Sequence, residues 1–414
     1  MVGADAPRGP RRRRDRASHG RAGVRRRDGT LRGHARRRVA TSLDRPEHAA
    51  RTRSGRGRGS PVPGEPVRPG ARVRTPAPRE VSSVVRVVVV GAGVAGLTAA
   101  RSLVDAGLDV VVLDKSHRVG GRLASRSVDG VRFDVGAQFL TAKGPVMRDA
   151  VARWEAAGVL GEWFRGSPDL DADDGGDGHP RYRGTPDMRS LPEHLAVGLD
   201  VRTATPVTAL TADAERWRIE VTARDGAAVP PTLPADALVV TAPVPQALAL
   251  LDAGGVQLDD EVAGVLRART YQPCVSVLAV CDRPTALPAS GALRRSDPPL
   301  WWLTDGRRKG LTDVDAVTLH ADPVTSRVRY DDDRLVDDLL AAAQPHLGVR
   351  PRPVHVHRWR YAVPDGDGID GDALATRAPA PLVLAGDAFA GGRIEGAHRS
   401  GLAAAAQLRT LVDA

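Results

Sequence analysis

Val84-Val85-Arg86-Val87-Val88-Val89-Val90-Gly91-Ala92-Gly93-Val94-Ala95-Gly96 is the stretch that decides the fold. Its valine run has the length and β-branched composition of a strand buried on both faces. The glycines that follow have G-x-G-x-x-G spacing. Gly91 permits a tight turn, Gly93 has no side chain to block approach to a pyrophosphate, and Gly96 lets a helix pack on the strand. Ala95–Ala106 reads as that helix, ended by Gly107, with free N–H groups and a positive dipole end facing the anion. Leu108–Leu113 is a second strand, completing a βαβ unit of about 30 residues. Asp114 ends it 18 residues after Gly96, with Lys115 beside it in the candidate set. A carboxylate there accepts hydrogen bonds from ribose hydroxyls and repels a 2′-phosphate.

Two further elements select among dinucleotides. Arg118-Val119-Gly120-Gly121-Arg122 lies just beyond Asp114, and Phe133-Asp134-Val135-Gly136-Ala137-Gln138 follows. Gly120 and Gly121 let backbone amides approach phosphates, while Arg122 supplies positive charge. Near the C-terminus, Leu382–Ala385 reads as a buried strand running into Gly386-Asp387. Then Gly391-Gly392-Arg393-Ile394-Glu395-Gly396 opens the closing helix, read as Gly396–Val412. Together the first two elements resemble the double fingerprint of the glutathione-reductase-2 branch of FAD proteins. Amine oxidases, protoporphyrinogen oxidases and carotenoid desaturases belong to that branch. A nicotinamide dehydrogenase has no use for the second element, so FAD is the cofactor expected. No cysteine lies near the C-terminus for a covalent flavin link, so it is expected to be held non-covalently.

Several narrower segments resemble the bacterial renalase-like FAD/NAD(P)-binding oxidoreductases of the flavin amine oxidase superfamily. They are Phe133–Thr141 (FDVGAQFLT), Gly184–Leu191 (GTPDMRSL), Val239–Ala247 (VVTAPVPQA), His357–Ala362 (HRWRYA) and Gly386–Gly401 (GDAFAGGRIEGAHRSG). The resemblance runs from Val84 to the C-terminus. It implies an α/β fold: a Rossmann-type FAD domain like that of p-hydroxybenzoate hydroxylase, with a second α+β substrate domain on a mainly antiparallel sheet. The FAD domain would comprise 84–145, 190–245 and 365–414, and the substrate domain 146–189 and 246–364. It also implies an oxidase that takes hydride from a reduced substrate, a dihydronicotinamide isomer, to flavin and passes electrons to O2. Carried onto this chain, Gly91, Gly93, Ala95, Gly96, Asp114, Lys115, Gly120, Gly121 and Arg122 would hold the ADP half and phosphates. Val207 would hold adenine through its backbone. Gly136, Ala137, Gln138, Gly386, Asp387, Arg393, Ile394 and Glu395 would complete the site. His398-Arg399 departs from the more apolar residues expected at this place, which would put polarity near the flavin edge. The rivals are an amine oxidase or desaturase of the same superfamily, and a non-catalytic flavin-binding protein.

Charge divides the chain. Residues 1–80 carry 23 Arg, no Lys and 7 acids, whereas the rest holds 37 basic and 43 acidic groups. The overall charge of +10 therefore belongs to the first 80 residues, which contain no aromatic residue and should be disordered. Arg11–Arg14 is not followed by the apolar segment and cleavage site of an export signal, and a nucleic-acid partner is not expected. An over-early start fits better: the only methionines are Met1, Met147 and Met188, and a GTG start would be read as Val81 or Val84. Cys274 and Cys281 form neither a redox pair nor a zinc set. No apolar run reaches spanning length. These features lead us to expect a cytoplasmic monomer or weak dimer without a metal.

No acid–base dyad stands out, and hydride transfer needs alignment more than acid or base. Pocket candidates are Lys309, one of three lysines, and Trp301, Trp302, Trp359 and Tyr361, aromatics that read either as a wall over the flavin or as buried sheet residues. Lys309 reads either as the holder of a water near flavin N5 or as an exposed loop charge in Arg307-Arg308-Lys309. His320 and His357 read as sheet histidines. Asp169–Asp177 and Asp365–Asp372 lack the glycine and glutamate of a calcium loop.

Overall fold

Alternate side chains of the Arg86–Val90 strand feed two different cores. Val87 and Val89 pack with the helices Val94–Asp105 and Arg393–Val412. Val88 and Val90 pack with the helix Val244–Ala253 and with Trp217 and Ile219 of a small antiparallel sheet. That is the reason for an unbroken valine run: both faces are covered. The protein is described by a computed structural model over residues 84–167, 178–213, 216–222, 230–366, 368–377 and 379–413. The arginine-rich residues 1–80 and the Asp169–Asp177 loop lie outside the described residues. Strand structure starts at Arg86, and Val84 is 63% exposed.

The valine strand sits inside a six-stranded sheet. Its order is Leu374–Thr376, Leu382–Leu384, Ala237–Val240, Arg86–Val90, Asp109–Leu113 and Asp200–Arg202. All neighbours are parallel except the Leu374–Thr376 edge. The chain leaves Arg86–Val90 to one side for Asp109–Leu113 and returns to its other side with Ala237–Val240, so the glycine turn stands at the switch point of the sheet.

A five-stranded antiparallel sheet has the order Ala292–Arg294, Leu300–Asp305, Ala316–Ala321, Tyr271–Val280 and Arg352–Pro364. Period-two alternation gives it two unlike faces. Val275, Val277, Leu293, Leu303, Val317 and Leu319 pack on Leu335, Leu339, Ala343 and Leu347 of the helix Arg334–Leu347. The other face carries a row in register: His357, Ser276, His320 and Trp302.

Between the helices Pro145–Ala156 and Ser190–Ala196 the sequence suggests only a polar loop. The structure has strands Leu160–Arg165 and Pro180–Gly184 there, paired antiparallel. Their arginines and glycines mask the alternation on which a strand assignment depends. No helix among the described residues is long and apolar enough to cross a membrane.

Candidate functional site

The separated cofactor elements converge. The Gly120 N–H donates to Ala92 O at 2.9 Å, and a Cβ placed on Gly121 would lie 3.6 Å from Gly93 Cα. The two glycine turns therefore rest on each other. A Cβ on Gly96 would stand 1.9 Å from Gly91 O, which no side chain can satisfy, whereas one on Gly93 would meet no protein atom within 4 Å. Space is thus open at Gly93 and closed at Gly96, the arrangement that would let a pyrophosphate approach the turn. Gly93 caps the Val94–Asp105 helix, which includes Ala95, without any side-chain hydrogen bond to its first N–H groups. These features fit a dinucleotide's phosphates.

Asp114 reaches back to the turn: its Oδ2 accepts from Ala92 N–H at 2.7 Å and its Oδ1 from Ser116 N–H at 2.8 Å. Lys115 is turned aside, donating to Gln246 Oε1 at 3.1 Å. Val207 opens the strand Val207–Asp213, paired with Val221. The segment before it is tied to the acid, with Thr205 N–H donating to Asp114 O at 2.9 Å.

Arg122 and Asp387 meet in a two-pronged ion pair, 2.6 Å on each arm. Burial opposes the Arg122 charge, but Asp387 and Tyr271 together carry its pKa above the ordinary value. Arg122 O also anchors the next element: Ala137 N–H donates to it at 2.9 Å, and a Cβ on Gly136 would lie 2.0 Å from it. Gly386 N–H is held by Ser400 Oγ at 2.7 Å. Arg393, Ile394 and Glu395 form the first turn of the closing helix, which starts at Arg393 rather than Gly396 and has no side-chain cap. Glu395 turns to a neighbour, accepting from Lys143 N–H at 2.9 Å and Gly144 N–H at 2.7 Å, and so caps the Pro145–Ala156 helix. His398 is buried between helices, 3.0 Å from Thr98 Oγ1 and edge-on to Trp154, and burial pushes its pKa down to about 4.

The polar face of the antiparallel sheet grips the Asp134–Gln138 turn. His320 Nε2 lies 3.2 Å from Val135 O, Trp359 Nε1 donates to the same oxygen at 3.3 Å, and Thr318 Oγ1 donates to Asp134 O at 3.2 Å. A carbonyl can only accept, so the neutral His320 carries its proton on Nε2. Burial, with Lys309 nearby, holds its pKa down near 4, and His357 is lowered to about 4 by burial and by His355 and Arg126.

Lys309 is not an exposed loop charge. It ends the short helix Gly306–Lys309, its side chain is wholly buried, and Nζ lies 2.7 Å from Asp134 Oδ2 and 2.5 Å from Gln138 O. Its charge also sits 4.7 Å from the Trp163 ring centre. Burial lowers its pKa, partly offset by Asp134. Trp301 is 37% exposed under the Arg294 guanidinium. Strand alternation turns the neighbouring candidate Trp302 inward, where it packs 5.3 Å from Phe139 and joins a cluster with Phe164 and Arg181. Tyr361 is edge-on to Tyr271.

Residues not singled out from sequence prove central. Asp134 Oδ1 accepts from Ser125 Oγ at 2.6 Å and Met188 N–H at 2.9 Å, and the Arg189 guanidinium donates to Ser125 O. The Gly184–Leu191 segment is thus a strap over the Asp134 turn. Its sequence distinctiveness was the available signal.

Two family models match. That of the NAD(P)-binding Rossmann-like domain covers residues 89–154, and that of flavin containing amine oxidoreductase covers 165–409. Among curated proteins, the chain is 56% identical to putrescine oxidase of Kocuria rosea over 55 residues, 13% of this chain and 12% of that protein. It is 54% identical to carotenoid 3,4-desaturase of Haloarcula japonica over 50 residues, 12% and 10% of the two chains. These matches thus span about a tenth of each relative's length. A structure of putrescine oxidase bound to putrescine superposes with a TM-score of 0.58 at 14% identity, covering 79% of this chain and 99% of that one, a likeness of fold. With its amine oxidoreductase model spanning more than half of the sequence, the chain belongs to the flavin-containing amine oxidoreductase family, enzymes that use FAD.

Proposed function

We propose that this enzyme is a renalase-like oxidase. It takes hydride from the ring of a dihydronicotinamide isomer and passes the two electrons to O2, yielding the aromatic nicotinamide and, with two protons, hydrogen peroxide. Bound FAD supplies the two-electron acceptor. The chain's own residues align the donor and exclude water.

The observation that carries this reading is the composition of the interface beside the Asp134–Gln138 turn. Phe139, Phe164 and Trp302 offer ring faces and edges to a planar donor. Arg181 lies over Phe139 and donates to His179 O at 2.8 Å, closing the aromatic cluster on one side. The carboxylates at this interface are committed, Asp134 to Lys309 and Asp387 to Arg122. A polyamine would find neither carboxylate free to receive its charge. His320 and His357, neutral at pH 7, leave the sheet face polar but uncharged.

We assign FAD, held non-covalently, to 84–145, 190–245 and 365–414, and the substrate to 146–189 and 246–364, an arrangement like that of p-hydroxybenzoate hydroxylase. Supporting this, the parallel sheet draws its strands from the first set and the antiparallel sheet from the second. Amine oxidation is the competing reading, favoured by the local match to putrescine oxidase. Anaerobic mixing of the FAD-loaded protein with dihydronicotinamide isomers and with a panel of amines separates them. Bleaching of the visible band by the former, reversed by air, is expected; turnover of amines alone would sink the proposal.

A further inference from the structure

We infer that Lys309 is a positioning residue of the cofactor cradle: paired with Asp134, it fixes the Val135–Gln138 turn against Arg122 and carries no proton or water to the reaction. The inference rests on FAD binding, not on the identity of the electron donor.

Lys309 has three N–H donors. Two are directed at Asp134 Oδ2 and Gln138 O, and the charge faces the Trp163 ring at 4.7 Å. With a fully buried side chain, the ammonium has its partners inside the protein. Asp134 is equally committed, to Lys309, Ser125 Oγ and Met188 N–H. Such a pair suits holding two segments together better than exchanging protons.

The segments it joins are 175 residues apart in the chain. Lys309 belongs to the sheet unit, and Asp134 ends the strand Val131–Asp134. Beyond Asp134 the turn is gripped on every side. Gln138 Nε2 donates to Asp134 O at 2.8 Å and Gly136 O at 3.0 Å, and Thr318, His320 and Trp359 hold the carbonyls from the sheet. The turn then bears on Arg122 O through Ala137 N–H and the close approach at Gly136. Arg122 in turn reaches Asp387 on the C-terminal cofactor element. A shift of the turn therefore displaces both ends of the cradle, and sub-ångström placement governs hydride transfer.

The test uses the full chain with Lys309→Met, Asp134→Asn and the double variant, loaded with FAD. Three properties are measured: the FAD dissociation constant, the visible spectrum and midpoint potential at saturating FAD, and the rate of reduction across pH 6–9 by whichever donor reduces the wild type. Lys309→Met should weaken FAD binding by about tenfold or more and alter spectrum and potential even when saturated. The double variant, which relieves the orphaned carboxylate but still lacks the clamp, should recover only part of the binding loss, with the pH profile of the wild type. A Lys309→Met protein with unchanged FAD binding and spectrum but a reduction rate down about 100-fold, unrecovered in the double variant, would overturn the inference. So would a variant unchanged in all three. If Lys309→Met fails to fold, the double variant decides: it must bind FAD more nearly like the wild type than Asp134→Asn does. Binding, spectrum and potential need no physiological donor, so this test can succeed even if dihydronicotinamide oxidation is disproved.

Discussion

Replacing Gly93 by alanine should cost the protein its cofactor while sparing its fold, and Gly96→Ala should do the reverse damage first. Gly93 has φ −83° and ψ −179°, a conformation open to alanine, and an added Cβ meets no protein atom within 4 Å. Losing glycine at a helix cap costs a few tenths to about 1 kcal/mol. The narrower unfolded ensemble of alanine returns about 0.4–1 kcal/mol. The two offset, so the apoprotein Tm should move by no more than about 2 °C. The methyl group nevertheless occupies the space through which the first N–H groups of the helix reach an anion. Loss of one hydrogen bond to a charged group, about 1.5–3 kcal/mol, weakens FAD binding roughly 10- to 150-fold. In Gly96→Ala the Cβ would stand 1.9 Å from Gly91 O and 2.8 Å from Thr241 Oγ1. Strand or helix must yield, at about 1–3 kcal/mol or more in the apoprotein. Thermal melts of both apoproteins, followed by FAD titrations monitored by flavin fluorescence, separate the two effects. Gly93→Ala binding FAD as tightly as the wild type, or melting as low as Gly96→Ala, would refute the reasoning.

The histidines with depressed pKa values make folding acid-labile. His320, His357 and His398 have folded pKa values near 4, below the unfolded 6.5. The unfolded chain therefore binds protons first, and stability present above pH 6.5 drains away as pH falls toward 4, at up to about 1.4 kcal/mol per pH unit for the buried His398 and less for the half-buried His320 and His357, whose charge solvent screens. Urea midpoints from pH 7 to 4 should show this slope, reduced by one proton in His398→Gln. Glu395→Ala removes the carboxylate that caps the Pro145–Ala156 helix and should destabilise by about 1–2 kcal/mol, read as a lower urea midpoint at pH 7. Arg122→Lys keeps the charge but cannot reproduce the two-pronged contact with Asp387. FAD affinity, measured by titration, should fall about tenfold.

The glycine-rich side of the candidate site was legible because its determinants are local. The strand, the glycine turn, Asp114 and Gly120–Arg122 lie within some 40 consecutive residues, and each obeys a rule about backbone approach that ignores the rest of the fold. The interface was not legible, because it depends on strand parity and distant pairing. Trp301 and Trp302 are adjacent in sequence, and only the register against His320 places Trp302 inward. Lys309 sits in a basic run that reads as a solvated loop. What buries it is a one-turn helix bounded by Asp305, whose side chain accepts from Arg308 N–H, and by Gly310 at φ +81°. Asp at the start and Gly at the end were visible signals of that turn, but the partner Asp134 lies 175 residues away. Glu395 shows the same limit: its motif position suggests the cofactor, while its carboxylate serves the neighbouring helix.

The two buried pairs also determine which fields remain at the site. Lys309 is neutralised by Asp134, and Arg122 by Asp387. His320 is kept uncharged by burial and by Lys309 itself. With these two pairs balanced locally, backbone dipoles add a standing bias of their own. The Val94–Asp105 and Arg393–Val412 helices both begin without a side-chain cap, and both begin at the cofactor elements. An uncapped helix start favours nearby negative charge by about 0.3–1 kcal/mol at exposed sites and up to about 2 kcal/mol where partly buried. Pairing the side-chain charges with one another leaves that preference for the bound anion undiluted. It also explains why cations as strong as Arg122 and Lys309 can stand at the cradle without fixing its net charge: each is paired with a carboxylate and holds backbone in place, leaving the helix N–H groups to face a bound anion.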